Sequence, residues 1–121
     1  MSHSPERSTI KKLFALSGNV CAFPECSVNI VNMEYGTVVG EICHIKGRRP
    51  DAPRYDPSQT DTERNAFENL LILCPEHHKI IDENEDKFSV DFLLKMKKEH
   101  EEKVGVKVVV EDWVVDELLK K

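Results

Sequence analysis

The spacing of three cysteines and one histidine constrains this chain more than any other feature. Four residues separate Cys21 from Cys26, and two separate Cys74 from His77. Close pairs of this kind, joined by a longer stretch of chain, commonly supply the four tetrahedral ligands of a zinc ion. The sequence therefore predicts a closed structural zinc site made of these four side chains, and metal bound there would contribute directly to folding.

The fourth cysteine, Cys43, does not fit this pattern. It adjoins His44 on a predicted strand, so the two side chains are expected on opposite faces. Cysteine is often a small core residue, and we expect Cys43 to be a buried thiol rather than a ligand. The same alternative applies to the two pairs, which could be core thiols beside an unrelated histidine.

The length of 121 residues is enough for one domain with a modest core, which a bound metal often helps to stabilise. No apolar run is long enough to cross a membrane, and the N-terminus lacks the apolar centre of a signal peptide. We therefore expect an intracellular, cytoplasmic protein, in which grouped cysteines favour metal over disulfides. The net charge of −5 is unfavourable for a chain that binds nucleic acid alone.

Periodicity and capping residues predict an α+β fold. Helices are expected over 5–17, from 61, over 75–82, over 90–104 and over 111–119. The β-rich stretches 28–31 and 37–44 predict a hairpin, and the stretch 106–110 a final strand. The proline-containing stretch 46–60 predicts a loop.

A hairpin followed by a helix, with His44, Asn69 and His78 in that order, resembles the HNH endonuclease family. The resemblance is carried by 41–45 (EICHI), 68–74 (ENLLILC) and 75–82 (PEHHKIID). The stretch 14–26 (FALSGNVCAFPEC) is similar to the zinc-bearing subgroup. Together they cover roughly residues 10 to 100 and imply a ββα-metal core with a zinc knuckle and flanking helices.

The resemblance also implies a role for each of the three residues. His44 matches the general base that activates a water, and Asn69 matches the residue that holds the loop and orients that base. His78 matches a ligand of a divalent metal, usually Mg²⁺ or a transition ion. Phosphodiester hydrolysis needs an activated water and positive charge at the phosphoryl oxygens, which a neutral imidazole and a metal can supply.

The predicted metal site depends on two carboxylates and on one position at which this chain differs from many family members. Asp82 lies four residues after His78, on the same helical face, where it could be a second ligand or support the helix. Many family members have an aspartate just before the first histidine, where this chain has Cys43; others have alanine. We therefore expect Glu41 or Asp82 to complete the metal shell.

A basic stretch follows His44 and is predicted to contact the phosphates of a DNA duplex without reading its sequence. Its members are Lys46, Arg48, Arg49 and Arg54. Because the whole chain is acidic, a homodimer or a sensor or partner subunit is expected to complete the grip on double-stranded DNA.

These expectations define an HNH nuclease domain over 1–104 and an extension over 105–121. The extension, with Trp113 on an amphipathic helix, would close the core or act as a docking or linker segment. The implied function is metal-dependent DNA cleavage, as an effector in restriction or anti-phage defence. The alternatives are a non-catalytic zinc-stabilised module for nucleic-acid binding or assembly, and RNA in place of DNA as the substrate.

Overall fold

The computed structural model of the chain describes residues 4–104 and 111–121, and these form a mixture of helices and two small sheets. The helices are α1 (Arg7–Ala15), α2 (Asp61–Arg64), α3 (Pro75–Glu83), α4 (Val90–Val104) and α5 (Asp112–Lys120). The strands are β1 (Val31–Asn32), β2 (Thr37–Val38), β3 (Glu41–His44) and β4 (Leu70–Leu73), and a 3-10 turn spans Phe67–Asn69.

The α+β class and the predicted helices are confirmed to within a few residues. Helix α2 begins at a capping box, in which the Thr60 side chain accepts from the Glu63 N–H and Glu63 accepts from the Thr60 N–H. The predicted strand over 106–110 lies outside the described residues. No described helix combines the length and the apolar composition that a membrane span demands.

The predicted hairpin is present but shorter than expected, because 37–44 forms two strands in different sheets. β1 pairs antiparallel with β2. At the break, the N–H groups of Val39 and Gly40 both donate to the Ile30 carbonyl, at 2.7 and 3.0 Å. A Cβ on Gly40 would lie 2.6 Å from the Ile30 side chain, so this close approach requires glycine. Beyond it, β3 leaves the hairpin.

β3 pairs antiparallel with β4, the apolar run that precedes Cys74, so that His44 lies opposite Leu70 and Glu41 opposite Leu73. All four residues of β4 are buried. Because side chains alternate along a strand, Leu70 and Ile72 enter one apolar cluster and the other two leucines enter a second. β4 therefore separates two small cores.

The first core joins the two ends of the described chain. α1 contributes Ile10, Leu13 and Phe14, and α5 contributes Val114, Val115 and Leu118, all of them buried. Exposed ion pairs from Arg7 and Lys11 of α1 reach Asp112 at the start of α5. The C-terminal helix therefore closes this core, one of the two roles considered for the extension.

The second core lies beside β4, α3 and α4 and contains most of the cysteines. Three of the four cysteines are buried in it, together with aliphatic side chains from the two helices. Its members include Cys21, Cys43, Cys74, Ile81, Leu93 and Met96. Three of the side chains that could hold a metal ion therefore belong to this core.

Candidate functional site

The four side chains predicted to bind zinc lie together. The ligand atoms of Cys21, Cys26, Cys74 and His77 are all within 4.8 Å of one another. The Nδ1 atom of His77 lies 3.2 Å from the Cys74 sulfur and 3.8 Å from the Cys21 sulfur. Three sulfurs and one ring nitrogen form the donor set of a structural zinc site, so this closed cluster could hold a metal ion such as zinc.

Local structure encloses the closed cluster. Cys74 is the N-cap of α3, and its sulfur accepts from the His77 N–H at 3.5 Å. The Ala22 N–H donates to the Ile72 carbonyl at 3.1 Å, which ties the Cys21 loop to β4. The ring of Phe23 stacks on the ring of His77, with centroids 4.0 Å apart. The ligands are therefore held by a helix end, a strand and an aromatic cover.

The three cysteines of the closed cluster are free thiols. Burial raises the pKa of Cys21 to about 12, since its side chain is 1% exposed and a thiolate there would lack solvation. The reactive and metal-binding form of cysteine is the thiolate. A cation among the sulfurs is therefore what would favour ionisation, which fits a site built for metal rather than for thiol chemistry.

A second group of three ligating side chains lies at the other side of α3. The ligand atoms of Cys43, His78 and Asp82 are within 4.8 Å of one another. The Cys43 sulfur is 3.9 Å from Oδ1 of Asp82, and Nε2 of His78 is 3.1 Å from Oδ2 of Asp82. Cys43 is buried as expected, but its position beneath α3 also brings it to this open cluster. Sequence reasoning had set that role aside.

A carboxylate from β3 orients the histidine of the open cluster. Nδ1 of His78 lies 3.0 Å from Oε1 of Glu41, while its Nε2 faces Asp82. The hydrogen bond to Asp82 and that to Cys43 raise the pKa of His78 to about 11, so the ring carries a proton on each nitrogen. The proton on Nε2 stands where a metal ion would bind. Glu41, expected as a possible ligand, holds the ring instead.

His44, the predicted base, is held by a residue that sequence reasoning missed. Its Nε2 lies 3.0 Å from Oδ1 of Asn65, the residue that ends α2. An amide oxygen only accepts, so Nε2 donates and Nδ1 keeps its lone pair. Burial lowers the pKa of His44, which keeps the imidazole neutral at pH 7. No sequence signal marks Asn65, because the contact depends on how the loop before α2 folds back.

Asn69 fastens the loop that follows His44. Its Oδ1 accepts from the Lys46 N–H at 2.9 Å, and its Nδ2 donates to the carbonyls of Lys46 and Arg64 at 3.0 and 2.8 Å. The Ile45 N–H also donates to the Asn69 carbonyl at 2.8 Å. These bonds match the loop-holding part of the predicted role, whereas it is Asn65 that bonds to the His44 ring.

The structure corrects the expectation for one of the four basic residues. The guanidinium of Arg54 is 5% exposed and donates to the Ile45 carbonyl at 2.6 Å and to Oδ1 of Asp82 at 2.8 Å. The Arg54 side chain is therefore buried beside the open cluster and bonded to other groups there. It does not lie on a surface that a DNA duplex could contact. Lys46 forms a part-exposed ion pair with Asp56 at 3.1 Å.

A cleft of about 270 Å³ brings several of the predicted site residues to one surface. Its lining includes His44, His78 and Asp82 together with Arg48 and Arg49. The lining also includes Leu118 and Leu119 of α5 and Lys121. The predicted base, two members of the open cluster and two of the four basic residues thus share one cavity.

Comparison with known proteins does not assign the chain to a family. No protein-family model matches the chain, and a search of curated proteins finds no match.

Proposed function

We propose that this chain is a metal-dependent endonuclease that hydrolyses DNA phosphodiester bonds, with an HNH-type core made by β3, β4 and α3. One observation carries the proposal: a neutral histidine and a group of metal-ligating side chains border the same cleft, beside two arginines. An effector role in restriction or anti-phage defence, implied by the resemblance, belongs to the same proposal.

His44 would act as the general base. Its Nδ1 lone pair takes a proton from a water while Asn65 fixes the ring through Nε2. Asn69 holds the loop on which the ring depends. A divalent ion held by Cys43, His78 and Asp82 would supply positive charge to the scissile phosphate.

Arg48 and Arg49 would contact the phosphate backbone at the mouth of the cleft. Two arginines are few for a duplex, and the net charge of −5 opposes binding by the isolated chain. A second copy or a partner subunit therefore supplies the rest of the DNA contact. Tight, salt-resistant binding of duplex DNA by the purified monomer would contradict this part of the proposal.

Plasmid nicking with added divalent metal tests the proposal. Replacing His44 by alanine removes the base and should lower the nicking rate by about 10²–10⁴-fold. His100→Ala is a matched control, because His100 bonds to the Ser17 carbonyl and does not line this cleft, so its replacement should leave the rate unchanged. All three proteins should retain zinc and unfold cooperatively, so that a difference in rate is not a failure to fold.

Each alternative has its own outcome in the same assay. If His44→Ala nicks at the wild-type rate, the assignment of the base is wrong. If the folded wild-type protein cuts neither duplex DNA nor structured RNA with any divalent metal, the chain is a non-catalytic zinc-stabilised module. Cleavage of RNA alone would move the substrate to RNA and keep the site.

A further inference from the structure

We infer that the open cluster of Cys43, His78 and Asp82 selects a thiophilic transition ion, such as Zn²⁺ or Co²⁺, and discriminates against Mg²⁺. The inference rests on the proposed function for its catalytic consequence: the nuclease would work with a transition ion and poorly with Mg²⁺. The choice of metal itself can be measured without any nuclease activity.

The donor atoms of the open cluster favour a transition ion. The cluster offers one sulfur, one imidazole nitrogen and one carboxylate. Mg²⁺ demands an octahedral shell of oxygens at about 2.0–2.1 Å and dehydrates reluctantly. Thiolate and imidazole suit zinc, cobalt and the other later transition ions, for which sulfur and nitrogen are good ligands. A site in which two of the three donors are not oxygen is therefore poorly matched to Mg²⁺.

Most of the carboxylate oxygens near the open cluster already accept hydrogen bonds from other side chains. Oε1 of Glu41 bonds to Nδ1 of His78 at 3.0 Å. Oδ1 of Asp82 accepts from the buried Arg54 guanidinium at 2.8 Å. The Asp82 oxygen beside Nε2 of His78 is Oδ2, at 3.1 Å. Mg²⁺ would find one available carboxylate oxygen beside a sulfur and a nitrogen that it binds weakly, whereas a tetrahedral transition ion can use all three donors.

The spacing of the donors fits a tetrahedral ion. With zinc bonds of about 2.0 Å to nitrogen and oxygen and about 2.3 Å to sulfur, tetrahedral angles place nitrogen about 3.3 Å from oxygen, and sulfur about 3.5 Å from oxygen. The nitrogen of His78 lies 3.1 Å from Oδ2 of Asp82, and the three ligand atoms of the open cluster all lie within 4.8 Å of one another. Small side-chain movements therefore suffice.

Three protein ligands leave one tetrahedral position for a water or a phosphate oxygen, as in catalytic rather than structural zinc sites. The cleft lined by His78 and Asp82 provides the space for it. Glu41 and Arg54 fix the ring and the carboxylate from behind, which is how outer residues hold metal ligands in place.

Co²⁺ titration of protein whose closed cluster is already loaded with zinc tests the inference. Zinc binds thiolate and imidazole sites more tightly than Co²⁺, so the closed cluster keeps its zinc. We expect one further equivalent of Co²⁺ to bind, with a sulfur-to-cobalt charge-transfer band in the near ultraviolet. Zn²⁺ should abolish the band by displacement, and a large excess of Mg²⁺ should leave it unchanged.

Two variants sharpen the test. Cys43→Asp should lose the charge-transfer band and gain Mg²⁺ as an effective competitor, because the sulfur is replaced by oxygen. Asp82→Asn, at a more exposed position, should keep the band but weaken Co²⁺ binding by at least about tenfold. This second variant keeps the test usable if a carboxylate at position 43 prevents folding.

The inference is overturned if no second equivalent binds, if the band persists in Cys43→Asp, or if Mg²⁺ competes with Co²⁺ in the wild-type protein. Nicking assays with Mg²⁺, Mn²⁺, Co²⁺ and Zn²⁺ are scored separately. Absence of nicking with every metal contradicts the proposed function, while a cysteine-dependent cobalt spectrum still supports the metal preference.

Discussion

The closed cluster offers three cysteines and one histidine, whereas the open cluster offers one cysteine, one histidine and one aspartate. His77 and His78 are consecutive on α3, and a helix turns about 100° per residue, so they face different surroundings. His77 lies under Phe23 among three cysteines. His78 lies between Glu41 and Asp82 at the edge of a cleft. The contrast shows that two consecutive histidines on one helix can be held in an enclosed cluster and at the edge of a cleft.

The largest expected effect is on the closed cluster. Structural zinc contributes about 10–16 kcal/mol in zinc-finger peptides, as much as the whole stability of many domains. Cys74→Ser should therefore abolish cooperative unfolding, although serine can still cap α3. Circular dichroism melting and zinc content measure it. Cys43→Ser, the matched variant in the open cluster, should melt cooperatively; equal loss in both variants would break the contrast.

The next effect concerns the wall of the open cluster. Arg54→Met removes one partner of a largely buried ion pair with Asp82 and should lower the free energy of unfolding by about 3 kcal/mol. Urea denaturation measures it. Arg49→Met is the control, because Arg49 is exposed and its replacement should change stability by less than about 0.5 kcal/mol. Similar losses of unfolding free energy in both variants would mean that the ion pair between Arg54 and Asp82 contributes little.

A smaller effect is expected from the residue that orients His78. Glu41→Gln weakens the hydrogen bond to Nδ1 and should reduce Co²⁺ affinity at the open cluster by about tenfold, without changing zinc content at the closed one. Titration followed by absorption measures it. Glu76→Gln, an exposed acid in the first turn of the same helix, should leave both metals unaffected. A loss of zinc in Glu41→Gln would show that the clusters are not independent.

The smallest effect is on pH dependence. His44 can accept a proton only when neutral, and burial lowers its pKa, so its neutral form persists below the ordinary value of about 6.5. At saturating metal, the nicking rate should therefore fall with a midpoint below that value as the pH decreases. Asn65→Ala removes the bond that raises this pKa and should move the midpoint lower still. A midpoint above 6.5 would contradict the assignment of His44 as the base.

Local signals in the sequence account for what was predicted correctly. The ligand spacing of Cys74 and His77 lies within one helical turn, and proline after a capping residue places the start of α3. The capping box does the same for α2. These features depend on a few neighbouring residues, so they can be recognised without knowing the fold.

What the sequence did not predict depends on contacts between distant residues. β4 is an all-apolar run without alternation, so its pairing with β3 carries no local signal. That pairing and the packing of α3 bring Cys43 to His78. Arg54 was predicted to contact DNA phosphates, but its side chain is 5% exposed, and its ion pair with Asp82 compensates that burial. Asn65 reaches His44 across the 46–60 loop.

The double burial of β4 has a consequence for how the molecule opens. Because two of its residues lie in each core, loss of packing in either core exposes one face of this strand. The backbone amides of this strand should exchange with deuterium only through global unfolding. The exchange rate of the β4 amides would thus report metal occupancy at either cluster.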